Sequence, residues 1–346
     1  DGTDLTINAA TTTGYYDGIA AINNGTGALS ITTTGTTTGE TDDGIAAVNS
    51  SAGTDLTVNA ATTTGYYDGI KADNFGTGAL SITTTGTTTG TADDGIDVSN
   101  LSTGTDLTIN AATTTGNENG IEADNYGSGA LSITTTGTTT GTADDGIDVS
   151  NSSTGTDLTI NAATTTGADV GIKADNDGSG ALSITTTGTT IGLNGDGIYA
   201  ENDGTDLTIN AATTTGNENG INAVNNGSGA LSITTTGTTT GETGEGDGIY
   251  AKNSGTSLTV NAADVVGYYN GIYADNDGEG ALNITSTGKI ITAIEDGISA
   301  NNSASGTDLT IAAVDTYGGD SVGSGIDAKN YGSGALSITT TGTTTG

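Results

Sequence analysis

Glycine followed by isoleucine returns about every 25 residues along this chain, first at Gly18-Ile19 and last at Gly325-Ile326, and the residues after it obey a rule of alternation. Two positions beyond the isoleucine stands Ala or Val (Ala21, Ala47, Ala72, Val98), and two beyond that Asn (Asn23, Asn49, Asn74, Asn100), through to Asn330. The positions between vary freely: Lys71 and Asp73 in one copy, Asp97 and Ser99 in the next. Fixed small or apolar residues alternating with variable polar ones mark a strand with one buried face.

A second series keeps step with the first. Leu5, Leu29, Leu56, Leu80 and their successors to Leu336 are each followed two residues on by Ile or Val, as in Ile7, Ile31 and Val58, which predicts another half-buried strand. A third segment, Thr-Thr-Thr-Gly at 11–14 and 36–39, closes the unit. Three short strands, Gly-rich corners and a fixed period predict an all-β chain, a parallel β-helix or β-solenoid, of about 13–14 coils of 24–27 residues. Helical repeats are excluded by the Thr, Gly and Asn content. The repeat runs from end to end, so residues 1–346 read as a single solenoid domain. Two coil types alternate, Gly-Thr-Asp-Leu-Thr-Ile-Asn-Ala-Ala at 2–10 and Gly-Ala-Leu-Ser-Ile-Thr-Thr-Thr-Gly at 27–35, so the duplicated unit is a double coil of 51 residues. It degenerates from about residue 191, where Ile191 replaces a Thr, Val265-Val266 replace Thr-Thr, and Lys289-Ile290-Ile291 enter the third segment.

Composition removes whole classes of function. There is no Cys, Met, Trp, Pro, His, Arg or Gln, and five Lys face 41 Asp plus Glu, a net charge of −36. Disulfides and thiolate metal sites are excluded. The charge argues against nucleic acid and anionic membrane surfaces as partners, and no apolar run is long enough to insert in a bilayer. The chain begins inside one unit at Asp1 and stops inside another at Gly346, with no atypical capping coil. The expectation is a segment of a longer array, or coils that associate end to end or side by side.

Four features invite a chemical reading. The Asn column, Asn23, Asn49, Asn74, Asn100, Asn125, Asn151, Asn176 and Asn202, sits on the inward parity and reads as a structural ladder of amides. Acids cluster just before the repeat glycine, at Asp17, Asp43, Asp68, Asp94 and Asp145, often beside a second acid such as Asp42 or Asp93. Stacked in register they would repel, so they read either as a solvated acidic edge or as sites for a calcium-type cation. Tyr15, Tyr16, Tyr66, Tyr67, Phe75, Leu101 and Tyr126 form a possible contact surface for sugar rings or a neighbouring chain. Outward Thr columns raise ice binding. No catalytic residue is assigned: the acids recur in nearly every coil, the corners are short, and a polysaccharide-cleaving site needs a raised carboxylic acid in a cleft.

The repeat Asp-Gly-Ile-x-Ala-x-Asn-x-Gly-(Ser/Thr)-Gly-Ala-Leu-Ser-Ile-Thr-Thr-Thr-Gly resembles the repeats in passenger regions of bacterial autotransporters and haemagglutinin-type surface adhesins, over essentially the whole chain. The resemblance implies a right-handed parallel β-helix displayed outside the cell. It leads to the expectation of a non-catalytic structural segment of a bacterial surface fibre, stalk or adhesin, with no cofactor unless calcium, and with host or matrix glycans or further copies of itself as partners. The alternative is a carbohydrate- or ice-binding surface on a secreted solenoid. Few Lys and no Arg would deny trypsin-like proteases most of their sites.

Overall fold

A computed structural model of the chain describes residues 3–101, 103–319 and 323–346. It is a parallel β-solenoid of about 13 turns, built from three sheets, and among the described residues there is no helix. One coil shows the plan: Leu29–Thr33 lies in the first sheet, Thr36–Gly39 in the second and Ile45–Asn49 in the third. Each strand pairs in parallel with its counterpart one coil on. Leu29 meets Leu56, Thr37 meets Thr63, and Ile45, Ala47 and Asn49 meet Ile70, Ala72 and Asn74. Like residues therefore stack on like, the arrangement the repeat rule anticipates.

By contacts the chain divides into two compact units, residues 1–168 with 173–180, and residues 169–172 with 181–346. In the first unit the first sheet runs in chain order from Leu5–Ala9 to Leu158–Ala162; in the second it runs from Leu182–Thr186 to Leu336–Thr340.

Alternation fixes the core. Along Leu29–Thr33 and Ile45–Asn49 every other residue is buried, so Leu29, Ile31, Ile45 and Ala47 turn inward while Ser30, Ala46 and Val48 remain half-buried on the outer face. A few apolar side chains per coil cannot order a coil alone; the backbone rungs above and below supply the rest. The glycine before each isoleucine has a steric cause. A Cβ on Gly69 would lie 2.5 Å from the Gly95 carbonyl oxygen and 2.7 Å from Thr88 Cγ2, because this corner presses the second sheet against the third.

The 51-residue double coil also has a structural reason. Pairing of Leu29–Thr33 with the next coil stops at Thr32 and Asn59, and the Ala61 N–H that would continue it donates instead to Thr33 Oγ1 at 3.3 Å. On the following step the register carries through to Ala60 and Thr84. The substitution recurs at Ala112 to Thr84 and Ala163 to Thr135. A Thr in every second coil stands in for a missing backbone rung.

Candidate functional site

Two polar columns run inside the corners of the coils. The first is the asparagine column between the third and first sheets. Nδ2 of Asn23, Asn49, Asn74, Asn100 and Asn125 donates to Oδ1 of the next Asn at 2.9–3.0 Å, and Asn151 donates to Asn176 at 2.7 Å. In the second unit the chain of amides runs from Asn202 through Asn225, Asn253, Asn276 and Asn302 to Asn330 at 2.8–2.9 Å. The second Nδ2 proton goes to a corner carbonyl, from Asn49 to Thr54 at 2.8 Å and from Asn100 to Thr105 at 2.9 Å. With both protons placed and Oδ1 occupied, an amide at 0 % exposure carries no desolvation penalty.

The second column differs from the solvated edge that the spacing of acids suggests. Asp43, Asp68, Asp94 and Asp145 are buried. Each acid faces the corner backbone of the next coil: the N–H of Asp43 donates to Asp17 Oδ1 at 3.2 Å, Asp68 to Asp43 at 3.0 Å, Asp94 to Asp68 at 2.9 Å and Asn119 to Asp94 at 2.7 Å. Asn119 then accepts from Asp145 N–H at 3.0 Å, and Asn219 from Asp247 N–H at 2.9 Å. In these coils the position supplies an oxygen acceptor, which Asn provides as well as Asp, although Val170 and Ser324 occupy it elsewhere.

Charge in this column is nevertheless poorly solvated. Burial first, and neighbouring acids after it, push Asp43 up to about 6 and Asp68 up to about 7, although each accepts a backbone hydrogen bond that works the other way. Asp94 is also raised, by burial and then by Glu122 beside it. Lysine offers relief at two places. Lys71 Nζ contacts Asp68 at 3.4 Å and pairs with Asp97, and Lys173 Nζ lies 2.9 Å from Asp148 and 3.9 Å from Asp145.

Within the first unit two groups of carboxylates come close enough to share a cation, Asp17 with Asp42 and Asp43, and Asp68 with Asp93 and Asp94; in each group one oxygen from every member lies within 4.8 Å of the others. Three carboxylates with a half-exposed acid at the rim suit a hard cation that completes its shell with water. One oxygen of Asp17, Asp43, Asp68 and Asp94 is already engaged by a backbone N–H, and Lys71 Nζ lies 3.4 Å from the second oxygen of Asp68, so an ion there would compete with the lysine.

The aromatic residues fall on two different corners. Tyr15 with Tyr16 and Tyr66 with Tyr67 sit after the second sheet, each pair edge to face with centroids 5.2 and 5.1 Å apart. Phe75, Leu101 and Tyr126 follow the third sheet on successive coils, their N–H groups donating to Asn49, Asn74 and Asn100 carbonyls at 2.8–2.9 Å. Phe75 and Tyr126 are exposed and Leu101 is half-buried, so this is a short apolar stripe separate from the tyrosine pairs.

Sequence reasoning missed a cavity of about 610 Å³ in the second unit, at the corner between the second and third sheets. The corner Glu242–Asp247 has six residues where the matching Glu40–Asp43 has four, and that extra length was the available signal. Tyr250 and Tyr273, on successive third-sheet strands, line it with their rings stacked at 5.1 Å and 6°.

Comparison with protein-family models, with curated proteins and with solved structures returns no match for this chain.

Proposed function

We propose that the chain is a non-catalytic structural segment of a bacterial surface fibre, stalk or adhesin, working outside the cell as a stiff spacer. The asparagine column carries the reading. A line of buried amides within each unit ties coil to coil, so bending or local opening must break buried hydrogen bonds. The repeat's resemblance to autotransporter passenger and haemagglutinin-type adhesin regions supplies the setting. Acids that recur coil after coil and bond to backbone suit a scaffold better than a reaction centre, which needs two carboxylates with unlike environments facing one cleft.

In this reading copies associate end to end or side by side, glycans are the partners of the exposed aromatics, and calcium bridges the paired acids at the corners. Surface labelling tests the setting. Antibody raised against the chain is expected to stain intact cells of the source bacterium and to lose its target when external protease is added; staining only after permeabilisation would remove the surface role.

A further inference from the structure

The long corner of the second unit is held in place. Thr243 N–H donates to the Asn217 carbonyl at 2.9 Å, Gly246 N–H to the Thr243 carbonyl at 3.0 Å, and Tyr268 and Tyr269 N–H both to the Gly246 carbonyl at 2.9 Å. Gly244, with φ of 67°, is the one described residue in the left-handed region, and it lets the chain turn over the cavity.

Several amides that line that cavity each spend a proton on a neighbouring group. Nδ2 of Asn219 donates to Asp196 Oδ1 at 2.8 Å, Nδ2 of Asn222 to Asp196 Oδ2 at 3.0 Å, Nδ2 of Asn270 to Asp247 Oδ1 at 2.9 Å, and Nδ2 of Asn217 to the Asn194 carbonyl at 3.3 Å. Thr243 Oγ1 donates to the Asn217 carbonyl at 3.0 Å. The carboxylates of Glu218, Glu245 and Asp247 line the cavity, while Asn222 Oδ1 is buried beside it with no hydrogen-bond partner. The orientation of the Asn222 amide is fixed chemically, since a carboxylate at Nδ2 leaves Oδ1 on the other side. The rings of Tyr250, Tyr269 and Tyr273 line the cavity as well, and no Lys does.

Acceptors, negative charge and aromatic faces together select one kind of guest. An anion is repelled. A neutral sugar draws nothing from the net negative charge of the carboxylates. A bare metal ion gains little from three tyrosines. A cation with an apolar skin is attracted by the carboxylates and by the ring quadrupoles at once, and a volume of this size falls within the usual range for small-molecule sites. We infer that the cavity between Glu218, Glu245, Asn222 and the Tyr250–Tyr273 stack binds a small organic ammonium ion.

Calorimetric titration of the intact chain in moderate salt tests this, with choline as the probe, its neutral isostere 3,3-dimethylbutan-1-ol and methyl glucoside as comparisons, and Tyr250→Ser and Glu245→Gln as variants. Ser is tolerated at the Tyr250 register position, since Ser299 occupies it two coils on. Glu245 lies on the exposed corner, so unchanged circular dichroism is expected for both variants. Choline is expected to bind one to one, at least about tenfold more tightly than its isostere, and each variant to weaken it by about tenfold or more. Absence of choline binding, equal binding of the isostere, tighter binding of methyl glucoside, or choline binding indifferent to Tyr250→Ser would each overturn the inference, the last by tracing attraction to the chain's overall charge.

Discussion

The backbone N–H of Asp94 donates to Oδ1 of Asp68 at 2.9 Å, and the carboxylate that accepts it is only 2 % exposed. An acid used as a corner acceptor in this way costs the fold more when ionised than when protonated, which inverts the usual acid response of a protein.

The sign follows from the shifts. Asp68 is pushed up to about 7 and Asp43 and Asp247 to about 6, burial being the largest cause in each, from an ordinary value of 3.8. Between about 4 and 7 the folded chain holds protons that the unfolded chain has released, so stability falls as pH rises through that window and is level with pH below it. The thermal midpoint is expected to be several degrees higher near pH 5 than near pH 8. Asp68→Asn should flatten the profile, because Asn119, Asn219 and Asn270 already serve as acceptors in this column. A midpoint that drops on acidification from about pH 8 to 5 would refute the account.

The asparagine column predicts a loss without compensation. Asn100→Ala removes the acceptor of Asn74 Nδ2 and the donor to both Asn125 Oδ1 and the Thr105 carbonyl. Two or three buried polar groups lose a partner, worth on the order of 3 kcal/mol. Urea denaturation should show this as a lower midpoint, with hydrogen exchange quickening first in the coils flanking residue 100. A change within error would mean that water enters the corner and that the ladder is not what stiffens the stack.

Much of the fold was legible because each sheet strand obeys one parity. Leu29, Ile31, Ile45, Ala47 and Asn49 recur at fixed spacing, and parity alone puts them inside. The acidic column was harder to place. Asp43 and Asp68 lie in corners, where no alternation tells inside from outside, and their hydrogen-bond donors belong to the next coil, some 25 residues on. The 610 Å³ cavity was hidden for a related reason: Tyr250 and Tyr273 occupy the free outward positions of the strand, and only stacking across coils makes them neighbours.

The second sheet predicts gains. Thr37, Thr63, Thr88, Thr114 and Thr139 turn their side chains into the core, and their Oγ1 atoms are buried with no hydrogen-bond partner. Further along the same register the column contains Val265 and Ile290. Thr88→Val is nearly isosteric and deletes a hydroxyl that was desolvated without gaining a partner, so it should stabilise the chain by about 1 kcal/mol, and Thr63→Val with Thr114→Val should add similar amounts. A drop in denaturation midpoint for all three would show that these hydroxyls have partners after all.

The glycine rule makes a steric prediction of the opposite sign. Gly69→Ala would set a methyl group 2.5 Å from the Gly95 carbonyl oxygen, a backbone atom that cannot turn aside. Either the corner opens or the rung from Ile70 N–H to that carbonyl, 3.1 Å long, is stretched. A cost of about 2 kcal/mol or more is expected by urea denaturation, whereas a change on the outer face, such as Ser81→Ala, should stay within about 0.5 kcal/mol.

Calcium gives the sharpest contrast between the two columns. If the ion sits among Asp68, Asp93 and Asp94, it neutralises the carboxylates that burial disfavours, so its binding must be tighter at high pH and must lift the alkaline arm of the stability profile most. Adding millimolar calcium near pH 8 is then expected to raise the thermal midpoint by several degrees, and a chelator to reverse it, with little effect near pH 5. Asp93→Asn, which removes a rim carboxylate and leaves the backbone acceptors of Asp68 and Asp94 in place, should remove part of that gain. Electron microscopy on the same samples separates a local role from an assembling one. Fibres with calcium that disperse on chelation would mean that the corner acids bridge copies, while a calcium-dependent midpoint on particles of constant size would confine the ion to single chains. A midpoint indifferent to calcium at both pH values would leave the Asp column as a purely structural line of acceptors.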